Sequence, residues 1–287
     1  MVAALAMVGV PGNVALSAQT AGNDFLAPFP AHRVIGNIYF VGSKGLGIYL
    51  ITTPKGHILV NAGLADSVPL IQQSIEKLGF KFSDVKILLI SHAHFDHDAG
   101  AAQIKELTGA KYVVMDADVP VVESGGKEDF FYGKTADLLY PPAKVDRVVH
   151  DGDMVKLGDM VLTARLTPGH TKGCTTWTFK VQDGGKSNDV VIVGSPNVNP
   201  GYKLVDNAAY PQIASDYERG FRVLRSLHCD VFLGAHGSYY GMEAKYARIK
   251  DGTTNNPFID PEGYKNYVSE REQSFRAELA KQQAGPR

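Results

Sequence analysis

The hydrophobic and polar positions fall into two stretches of strand and helix. From about residue 34 the chain reads as short β-rich runs at 37–41, 47–52 and 57–60, separated by turns such as Thr53-Pro54-Lys55-Gly56. This pattern predicts an antiparallel meander. In the next segment Val68, Ile71, Ile75 and Leu78 recur at helical spacing, so a helix is predicted over 67–78, with Ser67 as N-cap and Gly79 as C-cap. A buried strand at 86–90, a helix at 98–107 ended by Gly109, and a strand at 111–115 complete the first half. The second half predicts strands at 147–149, 154–157, 161–166, 175–181 and 190–193, a helix at 213–227 and a strand at 231–233. No Pro-, Gly- or Ser-rich linker separates the halves, and there is no evident internal repeat. Strands clustered in each half with helices after them imply an α/β protein of two sheets packed face to face, helices outside.

Composition narrows the chemistry. The chain has 287 residues, 44% of them hydrophobic, which is enough for a large core. With 29 Lys+Arg against 30 Asp+Glu the net charge is −1, so no nucleic-acid footprint exists, and the expected partner is a small molecule. No apolar run beyond the N-terminus approaches the ~20 residues that span a bilayer, so no membrane association is expected. The stretch 1–18 is small and apolar and ends in Leu16-Ser17-Ala18, reading as a secretory signal segment without its basic start. Export to the periplasm is the expectation; an unstructured cytosolic N-terminus is the alternative. Two cysteines, Cys174 and Cys229, cannot form a disulfide scaffold, which turns attention to the nine histidines.

After the strand at 86–90 the chain reads Ser91-His92-Ala93-His94-Phe95-Asp96-His97. At an extended strand end alternate side chains point the same way, so His92 and His94 can meet one ion while the following turn swings Asp96 and His97 toward another. Imidazole and carboxylate at this spacing suit zinc. His170, after Thr167-Pro168-Gly169, and His236, after Leu233-Gly234-Ala235, each sit at a turn following a buried strand. Either alone reads as an ordinary loop histidine. Beside the first motif they complete two sets of three: His92, His94 and His170, and Asp96, His97 and His236. Three protein ligands per ion leave positions open for water, as catalytic rather than structural zinc requires.

The segments Gly-His-Ile-Leu-Val-Asn-Ala-Gly (56–63), Ser-His-Ala-His-Phe-Asp-His (91–97), Tyr-Pro-Pro-Ala (140–143), Pro-Gly-His-Thr (168–171) and Asn-Pro-Gly-Tyr-Lys-Leu (199–204) resemble a metallo-β-lactamase of subclass B3. The resemblance runs from about residue 28 to 270. It implies one αββα-sandwich domain over 19–287, two zinc ions in a groove between the sheet edges, and hydrolysis of β-lactam antibiotics. The wider superfamily includes glyoxalase II, lactonases and nucleases, which typically carry a bridging Asp at the end of the strand corresponding to 190–193. Here Gly194-Ser195-Pro196 follows, without an acid. His92, and the lack of a Cys at 194–198, set the subclass.

The resemblance further implies a hydroxide shared by two zincs about 3.5–4 Å apart, attacking the lactam carbonyl. Asp96 stands near it, and Tyr140 is a candidate for the developing oxyanion or a packing residue before Pro141. Ser195 and Asn197 are candidates for the substrate carboxylate, Lys203 a weaker one. Phe131 and Tyr132 either floor the pocket or serve an ordinary packing role; Trp177 reads as core. Relatives carry Asp at the position of Asn61, so weaker zinc retention is expected here unless the amide supplies the same bond. The cysteines are expected as two reduced thiols unless they meet across the sheet, and the protein as a monomer. Two alternatives stand beside β-lactam hydrolysis: a lactonase or thioesterase, and a zinc-binding protein without turnover.

Overall fold

The computed structural model describes residues 24–252 and 255–285, so the segment 1–18 lies outside the described residues. The first sheet holds β1 (His32–Ile35), β2 (Ile38–Phe40), β3 (Tyr49–Thr53), β4 (Gly56–Val60), β5 (Val85–Leu89), β6 (Lys111–Met115) and β7 (Arg147–Val149) in that spatial order. It is antiparallel from β1 to β4 and parallel from β4 to β7. The second sheet runs in the order β12 (Val231–Gly234), β11 (Lys186–Val193), β10 (Thr175–Asp183), β9 (Met160–Leu166), β8 (Met154–Leu157), with only the β11–β12 pair parallel. Both sheets are therefore mixed.

Side chains alternate across the first sheet. Tyr49, Ile51, Ile58, Val60 and Leu89 face the core shared with Trp177, Phe179 and Ile192 of the second sheet. Leu50, Leu59 and Leu88 face outward onto helices α1 (Val68–Lys77) and α3 (Ala101–Thr108). Because both faces are covered, these strands carry apolar runs without alternation at 49–51, 58–60 and 87–89. The outer face of the second sheet is covered by α5 (Ile213–Ser226) and α7 (Pro261–Gln283) through Tyr217, Phe221, Tyr264 and Phe275. The result is the expected αββα sandwich.

Two features differ from the sequence pattern. The helix expected over 98–107 is two pieces, a single turn α2 (Phe95–Asp98) and then α3, because His97 O accepts from Ala62 N (2.8 Å). Gly100 N donates to Gly63 O at 3.1 Å, and a Cβ at Gly100 would lie 2.4 Å from Ala62 O. A short helix α4 (Val119–Glu123) and the helices α6 (Met242–Lys250) and α7 were not anticipated. In α7 the buried positions are sparse, and its start is fixed by Asp260, whose side chain accepts from Gly263 N, followed by Pro261.

The two sheets are sewn together at one end. Gly47 N donates to Ala235 O (2.7 Å), and the Tyr49 hydroxyl donates to Gly234 O (2.7 Å). A Cβ at Gly47 would meet Gly234 O at 2.1 Å, so glycine is required for this approach. Trp177 lies in the core as expected, its indole N–H donating to Ile90 O at 2.9 Å.

Candidate metal centre

At the sewn end, the loops following β5, β9, β11 and β12 converge on a groove of about 860 Å³ lined in part by His94, Asp96, His170 and His236. His92, His94 and His170 bring one ligand atom each to within 4.8 Å of one another. In the second set His97 Nε2 lies 3.2 Å from Asp96 Oδ2 and 3.1 Å from His236 Nε2, and His236 Nε2 lies 3.6 Å from Asp96 Oδ2. Ligands 2.0–2.1 Å from a tetrahedral ion stand about 3.3 Å apart, so this spacing fits one ion. His92 stands between the sets, its ring 4.6 Å from that of His170 and 4.3 Å from that of His97.

Each ring offers one nitrogen inward only if the other is occupied outward, and four of the five are so held. His170 Nδ1 donates to Asn197 O (2.8 Å) and His236 Nδ1 to Gly45 O (3.1 Å). His92 Nδ1 lies 3.1 Å from Ser91 Oγ, and His94 Nε2 lies 3.6 Å from Asp129 Oδ2. Fixed tautomers with inward lone pairs are the arrangement of metal-ligating histidines. His97 Nδ1 is buried with no partner among the described residues. Burial, reinforced by the neighbouring rings, drives the pKa of His92 and His170 well below normal and that of His236 down to about 4. These rings are neutral at pH 7 and free to ligate. Burial opposes ionisation of Asp96, but His97 and His236 outweigh it and hold its carboxyl below the usual range. Neutral imidazoles with one carboxylate form a donor set that suits zinc.

The support behind these ligands was not visible in the sequence. Asp118 is buried and accepts from Ala93 N (3.0 Å), Thr171 Oγ1 (2.8 Å) and Gly173 N (2.7 Å), fastening the 91–97 turn to the loop that carries His170. Asn61 does something other than the Asp expected there. Its φ is 70°, its Nδ2 donates to Gly47 O (2.9 Å), and its Oδ1 accepts from Ser91 N (2.8 Å). It thus fixes the residue before His92 without touching a ligand ring, and the donated bond is one an ionised carboxylate cannot make.

The other candidates separate. Asn197 and Tyr132 line the groove. Ser195 is buried, its hydroxyl 3.1 Å from the Tyr239 hydroxyl, which also accepts from Asn197 Nδ2 at 2.8 Å. Phe131 is over a third exposed and packs against Tyr132 and Tyr202, bracing the loop rather than lining the groove. Tyr140 is buried outside the groove, and its hydroxyl donates to Ala93 O at 2.9 Å. An oxyanion role does not fit that placement; the residue braces the turn between His92 and His94. Lys203 is exposed and absent from the groove wall. Tyr202, within a segment quoted for the resemblance but not singled out, donates to His170 O (3.0 Å) and lies 3.5 Å from His94 Nε2. Asp24 and Phe25 also line the groove, the Phe25 ring 5.7 Å from that of His236. Cys174 and Cys229 are separate buried thiols, each pushed up to about 12 by burial.

Residues 48–236 match the family model of the metallo-beta-lactamase superfamily. Among solved structures the chain is similar to the native FEZ-1 metallo-β-lactamase from Legionella gormanii, at 55% identity and a TM-score of 0.89 over 90% of this chain and 98% of that one. It is also similar to the class B3 di-zinc metallo-β-lactamase LRA-12 from an Alaskan soil metagenome, at 35% identity and a TM-score of 0.84, covering 88% of this chain and 96% of that one. A hydroxyacylglutathione hydrolase of Bradyrhizobium sp. is 26% identical over 204 residues, which span 71% of this chain and 67% of that protein. The chain belongs to the metallo-β-lactamase superfamily and, within it, to the class B3 metallo-β-lactamases.

Proposed function

We propose that this protein hydrolyses the amide bond of β-lactam antibiotics with two zinc ions, and so confers resistance. The observation that carries the reading is the pair of ligand sets in one groove, with the outer nitrogens of four of the five rings already engaged. Bound zinc supplies a nucleophile at neutral pH by lowering the pKa of a coordinated water, and polarises the carbonyl. The protein supplies the rest. His92, His94 and His170 would hold one ion and Asp96, His97 and His236 the other, and Asp96 would also orient the attacking water. Asn197, on the groove wall, supplies an amide donor for the substrate carboxylate, and Ser195 and Tyr239 keep that amide in place. Asp24, Phe25 and Tyr132 narrow the groove around the substrate.

The apolar stretch 1–18 supports export to the periplasm, where such a substrate is met, and a monomer suffices because one chain holds all six ligands. The deciding assay is hydrolysis of nitrocefin with and without a chelator. Turnover lost on chelation and restored by zinc is expected; turnover that survives chelation overturns the reading. The similarity to a hydroxyacylglutathione hydrolase favours a thioesterase as the second reading. Hydrolysis of a glutathione thioester in place of nitrocefin is its signature.

A further inference from the structure

Behind the loop 197–201 lies a second cleft, of about 1050 Å³ and mostly polar, whose far wall is one face of α7. It shares Asn197, Asn199, Ser238 and Tyr239 with the metal groove, so the two clefts are divided by one thin wall. Arg271 lines it. This guanidinium makes no hydrogen bond or ion pair among the described residues, and its Nε is buried without a partner. Asn197 and Tyr267 line the same wall, the Tyr267 hydroxyl beside the Asn197 amide and the Tyr239 hydroxyl.

A ladder of contacts joins this cation to the metal centre. The Arg271 guanidinium carbon lies 5.9 Å from the centroid of the Tyr267 ring, which stacks on Tyr239 at 5.0 Å, and the Tyr239 ring lies 5.0 Å from that of His236. The other charges at the cleft do not neutralise Arg271. Glu278 is held by Lys281 (3.2 Å) and Gln282 (2.9 Å), and Glu270 is exposed. A free planar guanidinium matches a carboxylate or sulfonate in a two-pronged fit.

We propose that this cleft is a subsite for an acidic substituent of the β-lactam, the one beside its ring carboxylate, and that Arg271 recognises it. The inference rests on the β-lactamase reading, since Asn197 orients the ring carboxylate and thereby aims the neighbouring substituent over the shared wall. Its consequence is a preference for β-lactams carrying a second anionic group.

The test uses the zinc-loaded enzyme and two cephalosporins with the same acyl arm, one bearing a neutral and the other a sulfonate-bearing substituent next to the ring carboxylate. Arg271→Gln is expected to raise KM for the sulfonate compound about tenfold with kcat unchanged, and to leave both constants for the neutral compound alone. Arg271→Lys is expected to recover part of the loss. Equal effects on the two compounds, or none on either, overturn the proposal. Calorimetric binding of the same two compounds separates it from the catalytic reading. An Arg271-dependent preference without turnover sinks the β-lactamase reading and keeps the anion subsite. Turnover of both compounds without that preference does the reverse.

Discussion

The Nδ1 of His170 lies 2.8 Å from the carbonyl oxygen of Asn197, so a metal ligand and the proposed substrate-binding loop are one mechanical unit. The same carbonyl accepts the Tyr217 hydroxyl at 2.6 Å, and the Tyr217 ring packs so closely under Gly169 that a Cβ there would lie 2.5 Å from it. Tyr217 therefore fixes His170 from two sides. A residue that hydrogen-bonds a ligand directly is worth 10–100-fold in metal affinity; Tyr217 acts one contact further out. Tyr217→Phe is expected to weaken zinc at the His92, His94, His170 set by about three- to tenfold, read by chelator competition. Affinity equal to that of the unmodified protein would show that the carbonyl needs no second donor.

Asn61 yields a prediction opposite to the one its sequence position suggests. Restoring the relatives' Asp places a carboxylate oxygen against Gly47 O, at a fully buried site where the amide now donates. Asn61→Asp is expected to cost about 2–4 kcal/mol of stability, because one buried bond is lost and a buried charge faces a carbonyl. Zinc affinity is not expected to rise. Denaturant midpoints and zinc titration of the pair of proteins check both parts, and a gain in affinity would return Asn61 to the role of a weakened support.

How much of this was legible in the sequence follows from the range of each interaction. Strands such as β4 and β5 were visible because both faces are covered where they carry the apolar runs Ile58–Val60 and Ile87–Leu89. Helix α7 was not, because Tyr264, Val268 and Phe275 are too sparse a stripe to show a helical period. His92, His94, Asp96 and His97 announce themselves because strand and turn geometry fix their directions locally. The groups that hold them do not. Asn197 and Gly45 act through backbone carbonyls, which any residue carries, and Asp118 reaches Thr171 across 53 residues of chain. Tyr140 stayed open between an oxyanion and a packing role for a related reason: an aromatic hydroxyl near the motif is visible in the sequence, but its direction toward Ala93 O is not.

The metal-free protein should show the charge state of its ligands in its stability. Burial, with His97 beside it, lowers the pKa of His236 from 6.5 to about 4. Between those values the unfolded chain binds more protons, so this contribution is complete above pH 6.5 and is lost as pH falls toward 4. Asp98 and Asp118, raised by burial to about 7 and about 6, act in the opposite direction. The difference between the unmodified protein and His236→Asn cancels their effect. That difference in unfolding free energy, measured in chelator, is expected to shrink by about 3 kcal/mol from pH 7 to pH 4. A constant difference would mean that His236 titrates normally in the fold.

Asp118 offers the sharpest separation of the two metal sets. Ala93 stands between His92 and His94, and Thr171 follows His170, so this one carboxylate grips backbone next to all three ligands of the first set, while Asp96 and His97 lie further along the turn and His236 on another loop. Its Oδ2 serves Ala93 N and Thr171 Oγ1, and its Oδ1 serves Gly173 N. An amide has only one acceptor oxygen. In either orientation Asp118→Asn turns an N–H toward a backbone N–H, leaving buried donors unpaired at a cost of about 1–3 kcal/mol each. Zinc at the His92, His94, His170 set is expected to weaken 10–100-fold, while the Asp96, His97, His236 set keeps its affinity within a few-fold. Stepwise removal of the two ions by a graded chelator series, followed by metal analysis, distinguishes them. Thr171→Val removes only one of the three donors and should give a smaller loss in the same order. Equal weakening of both sets in that milder variant would show that Asp118 supports the groove as a whole rather than its first metal position.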